Sequence, residues 1–402
     1  MGVKKGKGAD GKMNRDAVIV SAVRTAIGKQ GGALASVPAH AIGAEVMKEA
    51  IKRANVEPLM IDDVIMGNVL SGGGNIARLT ALETGLSIHL PGLTVDRQCG
   101  SGINAVNLAA QAIRAGEGDV YIAGGVESMS RAPYLMDRPE KAYSAKPPQF
   151  RKSRLSPKEI GDPPMGITAE NLAEKYEVSR EEQDEFALQS QKKMAKAVEE
   201  GRFNEQIALI HIPVRKGDDI EFKLDEHPRP QITKEGLAKL SPAFLEGGSV
   251  TAGNSSGLND AASALVIMSR EKAVELGIKP LATIRAQAVA GVDPNYMGIG
   301  PVPAIRKVME KSGLSLNEMD IIEINEAFAA QVIACNRELD MNPARVNVNG
   351  GAIAHGHPLG ATGAILITKA VYELKRSAGR FALITACIGG GQGIATIIER
   401  EA

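Results

Sequence analysis

From Ala17 onward, apolar blocks and amphipathic stretches alternate in a fixed order. AVIVSAVRT is a nearly continuous apolar run, the mark of a buried strand, and AIGAEVMKEAIKRA gathers its apolar residues on one helical face. VIMGNVL reads as a second strand, GSGINAVNLAAQAIRAGEG as a helix stopped at Arg114 and Gly116, and DVYIAGGVES as a third strand. The second half repeats this order with ATIRAQAVAGV, VPAIRKVMEKSG, DIIEIN, GATGAILITKAVYELKRSAG and RFALITACIGGGQGIATIIER. Strands alternating with helices predict an α/β fold with a mainly parallel sheet covered on both faces. In the repeat register, Gly124-Gly125 and Gly389-Gly390-Gly391 are expected to be equivalent corners.

The duplication is visible in the residues themselves. AIKRANVEPLMIDDVIMGN ends at Asn68 and VMEKSGLSLNEMDIIEIN ends at Asn325, each a helix, a polar turn and a strand. About 31 residues after Asn68 comes Cys99 in RQCGSG, and about 32 after Asn325 comes His357 in AHGHPLGATG. Two copies of one unit therefore aim a thiol and an imidazole across a pseudo-two-fold axis, which is how a site is built between domains.

Residues 132–248 break the repeat. This stretch is rich in Pro and charge and contains the polar helix SREEQDEFALQSQKKMAKAVEEG, which predicts either a surface excursion or a cap over the cleft between the repeats. At 402 residues the chain suits two or three packed units. Its 47 basic and 47 acidic residues leave no net charge to draw it to nucleic acid or a membrane, and no apolar run reaches membrane-spanning length. Three widely spaced cysteines suit a reducing compartment, so a cytoplasmic protein is expected. MGVKKGKGADGK at 1–12 has the look of a disordered leader.

Cys99 precedes a glycine-led helix start, whose dipole and free N–H groups are expected to lower its thiol pKa. By position alone it reads equally as a nucleophile or a buried free cysteine. His357, followed by Pro358 at a helix start, is placed to take a thiol proton. Cys387 enters the corner CIGGGQG, where it is suited to move protons while backbone N–H groups hold an oxyanion. Asn325 and Glu326 end a strand expected to point into the same cleft, and TAGNSSGLNDAASA from Thr251 has a strand–glycine–helix look. Its small polar residues suit either a ligand channel or tight helix packing. His355 and His357 form an HxH pair without a carboxylate cluster, so no metal is expected, and Cys335 reads as core.

RQCGSG, TAGNSSGLNDAA, INEAFA, NVNGGAIAHGHPLGATG and CIGGGQG occur together, in the order and spacing of thiolases. From about Ala17 to its end the chain resembles that family of acyl-CoA C-acyltransferases. The resemblance implies ping-pong thiolysis of 3-ketoacyl-CoA by CoA and the reverse Claisen condensation. In it Cys99 becomes acylated, and His357 activates it and forms one oxyanion hole with a water held by Asn325. Cys387 is then the acid/base at the α-carbon, and the N–H groups of Cys99 and Gly389 form a second hole. Ser256, Ala252, Met165, Phe244, Ala327 and Phe328 match positions lining the pantetheine arm, and Arg229 matches one near the adenine. CoA and acetyl-CoA are substrates, and no cofactor is implied.

The implied fold is α/β, duplicated and five-layered (α-β-α-β-α), with an inserted loop domain. Residues 13–131 with 249–279 make the N-terminal domain, 132–248 the CoA-covering loop and 280–402 the C-terminal domain. A homodimer or homotetramer is implied, with 151–158 either a tetramer contact or solvent-facing. Pro164 stands where many short-chain members carry His, and His355 where an aliphatic residue is common. Acetoacetyl-CoA is the favoured substrate, and longer 3-ketoacyl-CoA the alternative. A ketoacyl-synthase-like enzyme conflicts with Cys387, and a nucleotide-dependent oxidoreductase lacks its GxGxxG after the first strand. The remaining rival is a non-catalytic scaffold of the same fold.

Overall fold

The computed structural model describes residues 15–401 apart from 140, 142, 144–146 and 215–216, so the leader expected at 1–12 lies outside the described residues. Nine strands form the body of one sheet: β1 (Ala17–Thr25), β2 (Asp63–Gly67), β3 (Gly92–Val95), β4 (Val120–Ser128), β5 (Asn259–Ser269), β6 (Ala282–Gly291), β7 (Ile321–Ile324), β8 (Phe381–Ile388) and β9 (Gln392–Arg400). Their order is β7-β8-β9-β6-β1-β5-β4-β2-β3, and the short strands Gly28–Lys29 and Ile207–Ala208 bring the sheet to eleven. Read outward from the middle, β1-β5-β4-β2 and β6-β9-β8-β7 are the same path. The repeat seen in sequence is therefore a repeat of topology. The halves join where Val18 and Ile19 of β1 pair with Thr283 and Ala282 of β6.

The sheet is mixed rather than mainly parallel. Only the pairings of β2 with β3 and β4, and of β7 with β8, run parallel among these nine strands, while β5 and β9 run antiparallel to their neighbours. In the first half the difference comes from the end of TAGNSSGLNDAASA, expected to follow a glycine turn as helix. It is instead part of β5, buried at every position. Its run of apolar residues serves two faces at once, which suits a strand covered on both sides.

Five layers follow from the side-chain alternation. On β1, Val18 and Val20 pack outward under helix α1 (Ala39–Ala54), while Ala17 and Ile19 face inward. On β8, Ala382 and Ile384 face inward, while Phe381 and Leu383 pack outward with helix α5 (Pro301–Ser312). The inward faces of both halves share one core with helices α2 (Ser101–Ala115) and α7 (Leu359–Ser377), which form the middle layer. Three apolar cores therefore alternate with two sheet layers.

The central helices meet through glycine. A Cβ on Gly102 would sit 2.6 Å from the Ala364 nitrogen, and one on Gly363 would strike the Ile103 nitrogen. Gly124 and Gly125 are not a corner. They lie within β4, where the Ser263 and Gly360 carbonyl oxygens occupy the space of a Cβ. The excursion contributes helices α3 (Met165–Lys175) and α4 (Arg180–Glu199) and two small hairpins. It is tied to β1 by Arg24, which donates to Asp225 at 2.8 and 3.0 Å and to Gln206 at 2.8 Å.

Candidate active site

Cys99 and His357 each stand two residues before the first residue of a central helix, α2 and α7. Because those helices cross at Gly102 and Gly363, both side chains reach the same region from opposite halves. Asn325 closes β7 and donates its N–H to the Thr385 carbonyl of β8 at 3.0 Å, so Cys387, two residues further along β8, ends beside it. The site thus lies beyond the carboxyl ends of parallel neighbours, where α/β sheets leave a crevice.

The structure places the sequence-derived residues as follows. Cys99 is half-buried, and the Gly389 N–H is directed at its sulfur. Cys387 is fully buried, and its thiol feels the Cys99 thiol. Gly390 and Gly391 take φ of +81° and +82°, which turns the chain tightly after Gly389. Cys387 also packs with Met165, Ala327 and Phe328, and Phe328 meets Phe244 edge-on at 6.0 Å. Ser256 donates its N–H to the Ala327 carbonyl at 3.0 Å. Ala252 is exposed beside Gly253, over which Leu237 and Leu240 lie. Those two leucines and exposed Arg229 line a cleft of about 590 Å³. Met165, Ala327 and Phe328 therefore group at Cys387, with Phe244 and Ser256 beside them, while Arg229 lies in the cleft next to Ala252 and Gly253.

His357 is held on three sides. Its N–H donates to Asn259 Oδ1 at 2.9 Å, its Nδ1 lies 2.7 Å from Thr362 Oγ1, and its Nε2 lies 3.4 Å from Asn325 Nδ2. Thr362 Oγ1 already gives its one proton to the Pro358 carbonyl at 2.9 Å, so toward His357 it accepts. That fixes the proton on Nδ1 and leaves the Nε2 lone pair facing Asn325 and the site. Burial holds this imidazole down at about 4, in its neutral, basic form. Asn325 Oδ1 has no partner among the described residues, an acceptor open to a water or a ligand N–H.

Two expectations need correction. The Cys99 thiol is raised to about 11, not lowered. Burial is the main cause, and the Gly389 N–H, its own N–H and the nearby Glu127 and Asp96 charges only modify it. The helix terminus is outweighed by desolvation. Glu326, next to Asn325, turns away from the cleft. It accepts from Ser190 at 2.7 Å, Asn347 at 2.8 Å and the Ile353 N–H at 3.2 Å, bracing the loop that carries His357. Thr362, Asn259 and Glu127 were not singled out by the sequence. Glu127 accepts the Gly360 N–H at 3.0 Å and three N–H groups after Asn68, joining the halves. The one signal for Thr362 was its place one turn into the helix after Pro358.

A resting thiol and a neutral imidazole make a testable pair. Alkylation of Cys99 by iodoacetamide is expected to accelerate about tenfold per pH unit between pH 7 and 9, because the thiolate fraction is still rising. A plateau above pH 7 would instead indicate a preformed thiolate–imidazolium pair. Burial also holds His227 at about 4 and His355 well below the usual value. With His357 they stay neutral in the folded chain while the unfolded chain gains protons. Stability is therefore complete above pH 6.5 and falls as pH drops toward 4, by about 1.4 kcal/mol per unit and per group. His355 Nε2 is buried without a partner among the described residues, so His355→Leu is expected to lower this slope by one group's share in urea melts at pH 7.5, 6 and 5.

A duplicated α-β-α-β-α sandwich with two cysteines and a histidine at the meeting of its halves defines a thiolase. The chain belongs to this family: residues 17–271 match the thiolase N-terminal domain and 278–400 the thiolase C-terminal domain. It is 48% identical over 392 residues to an acetyl-CoA acetyltransferase of Pseudomonas aeruginosa, covering 96% of this chain and 100% of that protein. It is also 48% identical over 396 residues to the beta-ketothiolase BktB of Cupriavidus necator, with the same coverage. Its fold matches the crystal structure of the Bacillus anthracis acetyl-CoA acetyltransferase with a TM-score of 0.92 at 46% identity, over 96% of this chain and 99% of that one. Human mitochondrial 3-ketoacyl-CoA thiolase gives 0.91 at 42% identity, over 97% and 100%.

Proposed function

We propose that this chain is an acetyl-CoA C-acetyltransferase, cleaving acetoacetyl-CoA with CoA and running the reverse condensation through an acyl-Cys99 intermediate. The observation that carries this reading is the grouping of two thiols, the Gly389 N–H and a neutral His357 whose Nε2 lone pair faces Asn325 and the site. His357 Nε2 takes the Cys99 proton as the sulfur attacks the C3 carbonyl, which drops the energetic cost of a thiol that is otherwise hard to ionise. The C2–C3 bond then breaks, and its electron pair becomes the enolate of acetyl-CoA. Cys387 protonates that carbon. The incoming CoA thiol returns a proton to the Cys387 thiolate and attacks the acyl-Cys99 thioester, releasing the shortened acyl-CoA while Cys99 leaves as the thiolate and regains its proton from His357 Nε2. Asn325 with a bound water and His357 hold one oxyanion, and the N–H groups of Cys99 and Gly389 hold the other, each good donor contributing about 3–4 kcal/mol.

In this reading Met165, Phe244, Ala252, Ser256, Ala327 and Phe328 line the pantetheine arm and Arg229 meets the adenine end. Residues 132–248 serve as the cover between the two thiolase domains, and the reaction uses no cofactor beyond its CoA substrates. A dimer is supported by the edge strand β3 and exposed Leu79, Leu82 and Leu93 around it. A tetramer is supported by the exposed apolar hairpin carrying Tyr134, Met136 and Phe150. Among the described residues no helix is long and apolar enough to cross a membrane, and we assign the protein to the cytoplasm on its cysteine usage.

The second reading, a thiolase for longer chains, is favoured by exposed Pro164 at the start of α3 and by the similarity to the human 3-ketoacyl-CoA thiolase. Rates of CoA-dependent cleavage measured from four to sixteen carbons separate the two. A maximum at acetoacetyl-CoA that vanishes in Cys99→Ala is expected, and a maximum at longer chains would select the second reading.

A further inference from the structure

Behind the end of β7, away from the thiols, α4, helix α6 (Ala329–Leu339) and the turn 341–347 enclose a cavity of about 600 Å³. That is within the range of about 300–1,000 Å³ typical of sites for small organic ligands. Its walls are mainly apolar, with Phe186, Val332, Ile333 and Met341 prominent. None of the positions assigned above to the reaction or to CoA faces it.

Its charged groups are unequally satisfied. Glu182 is paired with Arg337 at 2.6 Å and Glu185 accepts from Gln189 at 2.7 Å. Glu326 has its oxygens taken by Ser190, Asn347 and the Ile353 N–H. Glu185 and Glu326 have only neutral partners, and Lys193 is the one cation lining the cavity that is not paired with a carboxylate among the described residues. Its Nζ donates to the Val346 carbonyl at 2.9 Å and forms no ion pair among the described residues. An ammonium carries three donors, so two are left for something else. Burial lowers the pKa of this group, and the nearby Glu326 and Glu323 charges offset only part of that.

We propose that this cavity binds a small monocarboxylic acid with an apolar body, its carboxylate on Lys193 Nζ and its chain against Phe186, Val332, Ile333 and Met341. The carboxylate supplies the acceptors that Lys193 lacks, and the chain covers apolar wall otherwise left to water. The site is separate from the acyl-transfer cleft and independent of the activity proposed for it.

Calorimetric titration of the full chain with octanoate tests this, with octylamine as the counter-probe. One octanoate site is expected, with no octylamine binding, and with an affinity at least tenfold weaker in Lys193→Met. Ala344→Trp, at the exposed rim, is expected to reduce binding as well, and melting curves establish that both variants fold. Adding excess CoA is expected to leave the titration unchanged. Octanoate displaced by CoA, bound equally well by Lys193→Met, or not bound at all would overturn the proposal. A chain inactive as a thiolase that still binds octanoate through Lys193 would leave this site standing and remove only the catalytic reading.

Discussion

Cys387→Ala is expected to accept an acetyl group from acetyl-CoA onto Cys99 while losing condensation and α-proton exchange by about 10²- to 10⁴-fold, the usual contribution of a placed acid/base. The reason is the division of labour between two thiols in one site. Cys99 has a partly open approach and an N–H from Gly389 at its sulfur, whereas Cys387 is sealed at the end of β8 against Met165, Ala327 and Phe328. Burial and the neighbouring Cys99 hold the Cys387 thiol well above its ordinary pKa. Such a thiol gives a proton only to a strong base, which an enolate carbon is, and its thiolate takes one back readily. Half-reaction and full-turnover rates measured on the same preparation separate the two steps. Condensation at the wild-type rate would remove Cys387 from the chemistry. Cys387→Ser, close in volume, controls for the small cavity left by alanine.

Thr362→Val is expected to lower kcat/KM by about 10- to 100-fold, the scale seen when functional histidines lose their second partner. Valine keeps the shape but removes both the acceptor for His357 Nδ1–H and the donor to the Pro358 carbonyl. The buried imidazole is then free to carry its proton on Nε2, where it cannot take one from Cys99. Thr362→Ser is expected to restore activity because it keeps the hydroxyl. Loss of packing alone would leave serine as impaired as valine, so the pair distinguishes positioning from simple fit. A valine variant with normal kcat/KM would show that the Nδ1 contact does not set the tautomer.

The sequence carried the duplication, the family and the residues that meet in the site, because these depend on short motifs and their spacing. Asn325 and Cys387 end neighbouring strands, Met165, Ala327 and Phe328 pack with Cys387, and Arg229 lies with Leu237 and Leu240 in a cleft beside Ala252. What it did not carry depends on long-range contact. The start of strand β5 reads as helix in sequence because small residues in DAASA satisfy either state, and only burial on both faces decides. Gly124 and Gly125 looked like a turn, yet their missing side chains make room for carbonyls from residues more than a hundred positions away. The thiol pKa of Cys99 departs from the sequence expectation for the same reason: a helix start is visible in RQCGSG, whereas the burial that outweighs it is not. Glu326 next to Asn325 likewise shows that adjacency in sequence at a strand end does not mean a shared direction.

The central claim, that Cys99 carries the acyl group while Cys387 handles the proton, is tested most directly by peptide mass spectrometry after brief exposure to acetyl-CoA and acid quench. One acetyl group is expected on the peptide containing Cys99, in the native protein and in Cys387→Ala, and none in Cys99→Ala. Acetyl on the Cys387 peptide, or acetylation that survives Cys99→Ala, would contradict it.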